Sequence, residues 1–316
     1  MNTIPLTFNC RSVNYSVLGG KVNPSPLVPV TCILFNRKTS LLREETFENI
    51  VARGFEKVIC IEEGTGGFSK TNLSKLFPSV YFITALENVT VGDMLNIAVS
   101  ETSSPYMLIL PVELASGKFA FNMQTVERFA EKNIFCTVPH LYTSSLHGIP
   151  VNFTPESVKS VFNVTSSASA ADGVPTLYAA DYAGLYNRDR FIHLGGFDYT
   201  ISSLYWQKLD FYMRAWLWGE KITVSSGFDL SYQGSIPDED KTSDLSYLRF
   251  YLKNLAPVFK VDHGYIPRLS FLPFKLRSSC GLNESLRQFR DACRWTEENK
   301  YRFKTDAAGL IKEWGN

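Results

Sequence analysis

Residues 28–64 read VPVTCILFNRKTSLLREETFENIVARGFEKVICIEEG. The stretch opens on an unbroken apolar run, 28–36, too short for a helix and rich in β-branched residues. An amphipathic segment follows over 40–54, with Ser40 as a candidate cap and Gly54 as its stop. A second apolar run, 56–64, ends in two acids, Glu62 and Glu63. Strand, helix and strand in this order, with strands apolar on both faces, predict a parallel pair whose crossover helix covers it.

The same alternation continues outward. Residues 80–85 (VYFITA) read as a third strand, 91–102 as a helix and 106–113 (YMLILPVE) as a fourth strand. Upstream, 1–27 reads as an irregular arm closed by Pro24 and Pro26. Downstream come a helix at 123–133, a strand at 134–142, a small-residue loop at 165–173 (TSSASAADG), a helix at 205–219 and a short strand at 220–226. From Asp240 the pattern turns helical, over 244–254 and 283–304. The expected fold is α/β: a mixed, mainly parallel sheet with helices on both faces and a helical C-terminal extension. The expected divisions are an arm at 1–27, a first half at 28–115, a second half at 116–239 and the extension at 240–316.

The 316 residues allow one large domain or two small ones, and 45% apolar residues suffice for a sizeable core. A net charge of +1 argues against a general nucleic-acid binder. No apolar run reaches the length of a membrane-spanning helix, and the N-terminal stretch lacks a basic region followed by an apolar one, so a cytoplasmic location is expected. The six cysteines, at 10, 32, 60, 136, 280 and 293, form no C-x-x-C pair. Cys32, Cys60 and Cys136 sit in apolar strand-like runs and read as small buried hydrophobes.

In open parallel sheets, ligands bind beyond the carboxyl ends of the strands. Those ends carry Phe35-Asn36-Arg37, Glu62-Glu63-Gly64-Thr65 and Pro111-Val112-Glu113. An aromatic ring and a carboxylate there suit a nucleobase and its amide edge, and the GTGG of 64–67 lets backbone approach a ligand. It is neither a dinucleotide fingerprint nor a P-loop. In YWQKLDFYMRAWLWG (205–219), Asp210 and Arg214 stand one helical turn apart and share a face. They form either a partly buried ion pair or a support beneath an acceptor site. The aromatic residues around them read as core or as a platform for sugar rings.

Taken in order, VTCILFNR, VICIEEGTGG, ENVTVGDMLNIAVSETSSPYMLILPVE and LYNRDRFIHLGGFD…YWQKLDFYMRAWLWGEKI resemble the family 2 glycosyltransferases over roughly residues 28–254. Asp210-x-x-x-Arg214 and Gly219-x-Lys221-Ile222 look like that family's D-x-x-x-R and G-x-K-I. The resemblance implies a GT-A fold that moves a sugar from a nucleotide-sugar donor to a glycan or lipid-linked acceptor of the cell surface, with inversion. It implies that Phe35, Asn36, Glu62 and Glu63 hold the nucleotide and that Gly92 and Asn96 lie on the helix over the diphosphate. Leu95 stands where a basic residue is frequent in the family. On the catalytic side the family's residues fall on Glu113, Lys208 and Asp210. Asp198 and Trp206 fall on the acceptor side.

The catalytic motifs depart from the family. The metal-holding D-x-D falls on Pro111-Val112-Glu113, which leaves Glu113 as a weak ligand for Mg²⁺ or Mn²⁺. The E-D pair that contains the general base falls on Gln207-Lys208, and a cationic lysine cannot take a proton from a hydroxyl. Tyr232 or Gln233 stands where a metal-contacting histidine is frequent. Lys208, Arg188 or Arg190 could supply charge to a diphosphate in place of the ion, the two arginines reading equally as solvated turn residues. Two functions are therefore expected: a glycosyltransferase of this type, or a relative that binds without catalysis. A nucleotidyltransferase is a remote third. Residues 265–277 (YIPRLSFLPFKLR) interleave basic and apolar side chains, as in a peripheral membrane contact or in a segment packed on the main domain.

Overall fold

The computed structural model describes residues 11–21, 25–37, 44–64, 67–115, 117–158, 161–233, 238–278 and 281–315, without the side chains of 67–70 and 277. Ser40, Cys10, Cys280 and the Thr65-Gly66 part of the glycine-rich turn lie outside them.

The first half runs β1 (Tyr15–Gly19), β2 (Val28–Asn36), α1 (Glu44–Val51), β3 (Phe55–Glu63), α2 (Gly67–Leu76), β4 (Val80–Ala85), α3 (Val91–Ser100), β5 (Tyr106–Pro111) and the short α4 (Val112–Ala115). The apolar run that opens the quoted stretch is a central strand, and its residues from Cys32 to Phe35 are fully buried. α1 packs on the neighbouring β3 and buries Phe47 and Ile50, Phe47 meeting Phe82 of β4. α3 starts where Thr90 and Asp93 form a reciprocal capping box, which fixes the helix over the sheet.

The second half runs β6 (Phe119–Ala120), α5 (Met123–Lys132), β7 (Cys136–Tyr142), β8 (Gly148–Ile149), β9 (Asn152–Val158), β10 (Val161–Ser167), β11 (Gly184–Asn187), α6 (Arg188–His193), α7 (Leu204–Leu217) and β12 (Ile222–Ser231). The C-terminal part comprises α8 (Leu245–Phe250) continuing into a π turn at Tyr251–Leu255, β13 (Val258–Lys260), β14 (His263–Tyr265), α9 (Phe271–Arg277), α10 (Leu282–Asn299) and α11 (Ala307–Glu313). Among the described residues no helix is long and apolar enough to cross a membrane.

One large sheet has the order β1-β4-β3-β2-β5-β11-β7-β12-β6. β2, β3, β4 and β5 are parallel, β11 runs antiparallel between β5 and β7, and β12 is parallel to β7. The chain places β3 and β4 on one side of β2 and β5 on the other. The strand order thus reverses at β2, and a crevice opens beyond its carboxyl end. Cys32, Cys60 and Cys136 are buried thiols within strands, as their apolar surroundings predict.

Four elements differ from the expected pattern. Tyr15–Gly19 of the arm is an edge strand paired antiparallel with β4, from Tyr15 against Ala85 to Gly19 against Tyr81. The small-residue loop is partly β10, which pairs with β9 in a polar hairpin. β12 runs on to Ser231 through a register shift between Ser225 and Asp229. The C-terminal part is not wholly helical, since β13 and β14 form a hairpin within it.

Candidate functional site

A cleft of about 570 Å³ opens beyond the carboxyl ends of β2, β7 and β12, and α7 closes one side of it. Arg37 follows β2, Tyr232 follows β12, and Tyr205 and Lys208 face the cleft from the first turns of α7. Asp181 and Glu239 supply carboxylates from the segments before β11 and before α8.

Two charge pairs organise this lining. Arg37 is ion-paired with Asp181, whose other oxygen accepts a hydrogen bond from Tyr232 Oη at 2.7 Å. Lys208 is ion-paired with Glu239, and its ammonium lies 4.4 Å from the centre of the Tyr178 ring. Burial pushes the Asp181 carboxyl above the ordinary range, although Arg37, Tyr232 and Lys208 pull it down. Burial likewise raises the Tyr232 phenol, with the Asp181 charge adding to it.

Asp181 and Tyr182 both adopt left-handed backbone, with φ of 47° and 60°. Such conformations cost about 1–3 kcal/mol each in residues other than glycine and persist only where the surroundings hold them. Here Tyr182 Oη donates to Leu204 O at 3.1 Å and Tyr186 Oη donates to Tyr182 O at 2.7 Å. The Asp181 ion pair holds the preceding residue. This turn is how a carboxylate from before β11 comes to face the guanidinium at the end of β2.

The residues assigned to the nucleotide lie at the strand ends. Phe35 is fully buried and meets Tyr182 edge to face. Asn36 donates to Glu62 Oε2 at 2.7 Å, while its Oδ1 is buried with no hydrogen-bond partner among the described residues. Arg37 Nε is buried in the same way. Glu63, at the end of β3, is half-buried. Buried polar groups are nearly always paired, so an orphaned acceptor and donor on consecutive residues are unusual, although neither atom reaches the surface as the chain stands.

Gly92 and Asn96 are occupied internally. A Cβ on Gly92 would stand 2.5 Å from Phe197 Cβ and 2.6 Å from Gln207 Cδ, so glycine here allows α3 to approach α7. Gln207, wholly buried, accepts from Gly92 N at 3.0 Å and donates to Thr90 Oγ1 and Asp198 O. Asn96 clasps Phe197 through both its backbone groups, at 2.8 and 2.9 Å. The residues of α3 that resemble a diphosphate contact thus hold the turn before α7 instead.

The acid–base pair of α7 belongs to a buried cluster. Arg214 lies 3.1 Å from Asp210, and Lys253 lies 2.9 Å from both Asp210 and Asp198. Asn254 donates to Asp210 at 2.8 Å, and Thr200 donates to Asp198 through its amide and its hydroxyl. The side chains of Asp198, Asp210, Arg214 and Lys253 have no exposed surface. Asp210 and Asp198 therefore have no surface from which to meet a substrate; they position α7 against the π turn. Trp206 packs among Tyr205, Tyr247 and Phe250 and donates to Thr242 O, as a core residue.

Arg188 and Arg190 stand at the wrong end of the sheet for a phosphate in this cleft. β11 is antiparallel to β5, so Asn187 pairs with Tyr106, the first residue of β5, while the cleft lies beyond its last residue. Arg190 is ion-paired there with Glu220 and donates to Asn133 at 2.8 Å.

Glu113 is the second residue of α4, near the cleft, where its charge acts on Arg37 and Tyr232. Its carbonyl accepts from Gln233 N at 2.9 Å. Pro111 and Val112 add no side-chain oxygen, and among the described residues no three His, Cys, Asp or Glu side chains are grouped to hold an ion. A divalent cation does not fit this set, since Mg²⁺ and Mn²⁺ take several oxygen ligands.

Asp181, Glu239, Tyr178 and Tyr205 carry no motif that sequence reasoning singles out. The one signal near Asp181 is its setting of small residues, AADYAG over 179–184, which suits a tight turn.

No protein-family model matches the sequence, and no curated protein does. Solved structures resemble the chain, two of them as follows. One is GalNAc-T7 with UDP, GalNAc and Mn²⁺, at 11% identity and a TM-score of 0.57, matched over 93% of this chain. This chain spans 59% of the length of that one. The other is the mannosyltransferase PcManGT from Pyrobaculum calidifontis with GDP-Man and Mn²⁺, at 12% identity and a TM-score of 0.45, matched over 89% of this chain and 78% of that one. The likeness to the first, together with the strand order, shows that the chain has the GT-A glycosyltransferase fold.

Proposed function

We propose that the cleft receives a nucleotide sugar and passes its sugar to a glycan or lipid-linked acceptor, as the resemblance to family 2 glycosyltransferases implies. The observation that carries this reading is the pair of orphaned polar atoms, Asn36 Oδ1 and Arg37 Nε, at the point where the strand order reverses. In this reading Arg37 and Lys208, which line the cleft, face the diphosphate, and the nucleotide extends from there over Asn36, Glu62 and Glu63 at the strand ends, with Phe35 buried beneath them. Asp181 takes the proton of the acceptor hydroxyl, because a carboxylate whose pKa is raised is the better base near neutral pH. The acceptor oxygen bonds to the anomeric carbon as the bond from that carbon to phosphate oxygen breaks. The nucleoside diphosphate leaves with the electron pair, and the configuration inverts.

A second reading, binding without catalysis, has its own support. Lys208, which the resemblance puts in the position of the base, is held by Glu239, and among the described residues no three His, Cys, Asp or Glu side chains are grouped for a metal. Incubation with a panel of nucleotide sugars and acceptor glycans separates the two. Release of nucleoside diphosphate, lost in Asp181→Asn, supports transfer. Binding without release supports the second reading, and an absence of binding removes both.

A further inference from the structure

The segment Arg268–Arg277, a 3-10 turn running into α9, has leucines on its outer face. Leu269, Leu272 and Leu276 are 81%, 64% and 88% exposed, whereas Phe274 on the opposite side is fully buried and Phe271 packs on Phe289 of α10. At positions i, i+3 and i+7 the leucines form one stripe. A surface helix normally directs leucine inward and charge outward; this one is apolar on both sides. Leu282, which starts α10, extends the exposed apolar surface at 57%.

The surroundings are basic. No acidic residue occurs between Asp262 and Glu284, and from Gly264 to Arg294 the chain has six basic residues against two acidic ones. Exposed Arg268 lies close enough to act on Cys293 of α10. Arg290 and Arg294, exposed on the neighbouring turn of α10, share one face. Exposed leucines and exposed arginines on adjoining helices match an anionic bilayer, in which leucines enter the headgroup–acyl boundary and arginines pair with lipid phosphates.

We propose that this face docks on an anionic membrane, Leu269, Leu272 and Leu276 inserting and Arg268, Arg290 and Arg294 meeting the headgroups. The proposal does not depend on the reading of the cleft. The test is co-sedimentation of the full chain with vesicles of phosphatidylcholine alone or mixed with phosphatidylserine. Binding is expected to the mixed vesicles and to fall with added salt. Leu272→Glu with Leu276→Glu should abolish it; both sites are well exposed, and an unchanged melting temperature checks the fold. Arg290→Gln with Arg294→Gln should weaken it about twenty-five-fold, at about fivefold per basic residue near the surface. Failure to sediment, or equal sedimentation with neutral vesicles, overturns the proposal. So does a dimer in light scattering that the leucine variant dissociates, because a second copy would then cover the stripe.

Discussion

Lys208 of α7 and Glu239 of the segment before α8 are ion-paired across the cleft, and the lysine side chain is only 4% exposed. The charge of Lys208 is thus already balanced inside the protein. If Lys208 serves the diphosphate, removing its partner should release it. Glu239→Gln is expected to tighten binding of uridine or guanosine diphosphate several-fold, and Lys208→Ala to weaken it. Both effects should persist in chelator, because among the described residues no three His, Cys, Asp or Glu side chains are grouped to hold an ion. Calorimetry with and without Mn²⁺ decides. Binding that appears only with Mn²⁺ would falsify the metal-free arrangement, and an unchanged affinity in Lys208→Ala would leave the lysine a structural role alone.

Lys253 neutralises two carboxylates that have no contact with water. Lys253→Met keeps the bulk and removes the charge, so Asp198 and Asp210 are left together with Arg214 as their only cation among the described residues. Breaking a buried ionic cluster by removing one partner costs about 3–5 kcal/mol. Urea denaturation at neutral pH should show a loss of this size. A loss below 1 kcal/mol would mean that water reaches the cluster.

The same lysine should set how stability responds to acid. Burial alone would raise the Asp198 carboxyl, but Lys253 and the hydrogen bonds from Thr200 outweigh it and hold it below its ordinary 3.8. A depressed carboxylate contributes stability that is present above the unfolded value and is lost as the pH falls through the folded one. The wild-type contribution is therefore in place above pH 3.8 and disappears below it. In Lys253→Met burial prevails, so the sign reverses and the variant gains stability relative to wild type as the pH is lowered toward 4. Parallel urea titrations at several pH values measure the difference. Two curves that stay parallel would remove Asp198 from the explanation.

Much of the architecture was legible because it follows from unbroken apolar runs. Val28–Asn36 and Tyr106–Pro111 could be little else than central strands. The edge strand β1 was not legible, since only two of its five residues, Val17 and Leu18, are aliphatic and both are exposed. The site was legible only in part, because one local pattern serves two ends. A glycine in the first turn of a helix at a strand end looks the same whether it admits a phosphate or, as at Gly92, the side chain of Gln207. Asp181 depends on a left-handed turn held by distant tyrosines, and no spacing announces it. Arg188 and Arg190 were misplaced because the antiparallel course of β11, which carries them to the far end of the sheet, leaves no trace in its composition.

Gly92 offers a direct test of that ambiguity. Gly92→Ala inserts a methyl group against Phe197 and Gln207, which forces α3 away from α7. Overpacking of this kind costs about 1–3 kcal/mol. The variant should unfold at lower urea yet, where folded, bind nucleoside diphosphate within about twofold of wild type. A large loss of affinity without a loss of stability would instead return Gly92 to the diphosphate.

The nucleotide assignment itself rests on Asn36, Arg37 and the acids of β3. Asn36 donates to Glu62, so its amide is oriented with the oxygen turned to the orphaned side. A ligand N–H that pairs with this oxygen replaces an unsatisfied buried acceptor, a state that costs about 1–3 kcal/mol. Asn36→Ala removes the acceptor and should lower affinity for uridine or guanosine diphosphate about tenfold; in the unliganded fold the relief of the orphaned oxygen and the loss of the hydrogen bond to Glu62 act in opposite directions. Glu63→Ala should lower it as well, through the half-buried end of β3. The two losses separate by nucleobase: a contact to the base edge distinguishes uridine from guanosine diphosphate, whereas a contact to ribose or phosphate weakens both alike. If calorimetry detects neither nucleotide at millimolar concentration, and neither substitution changes the result, the crevice beyond β2 is not a nucleotide site.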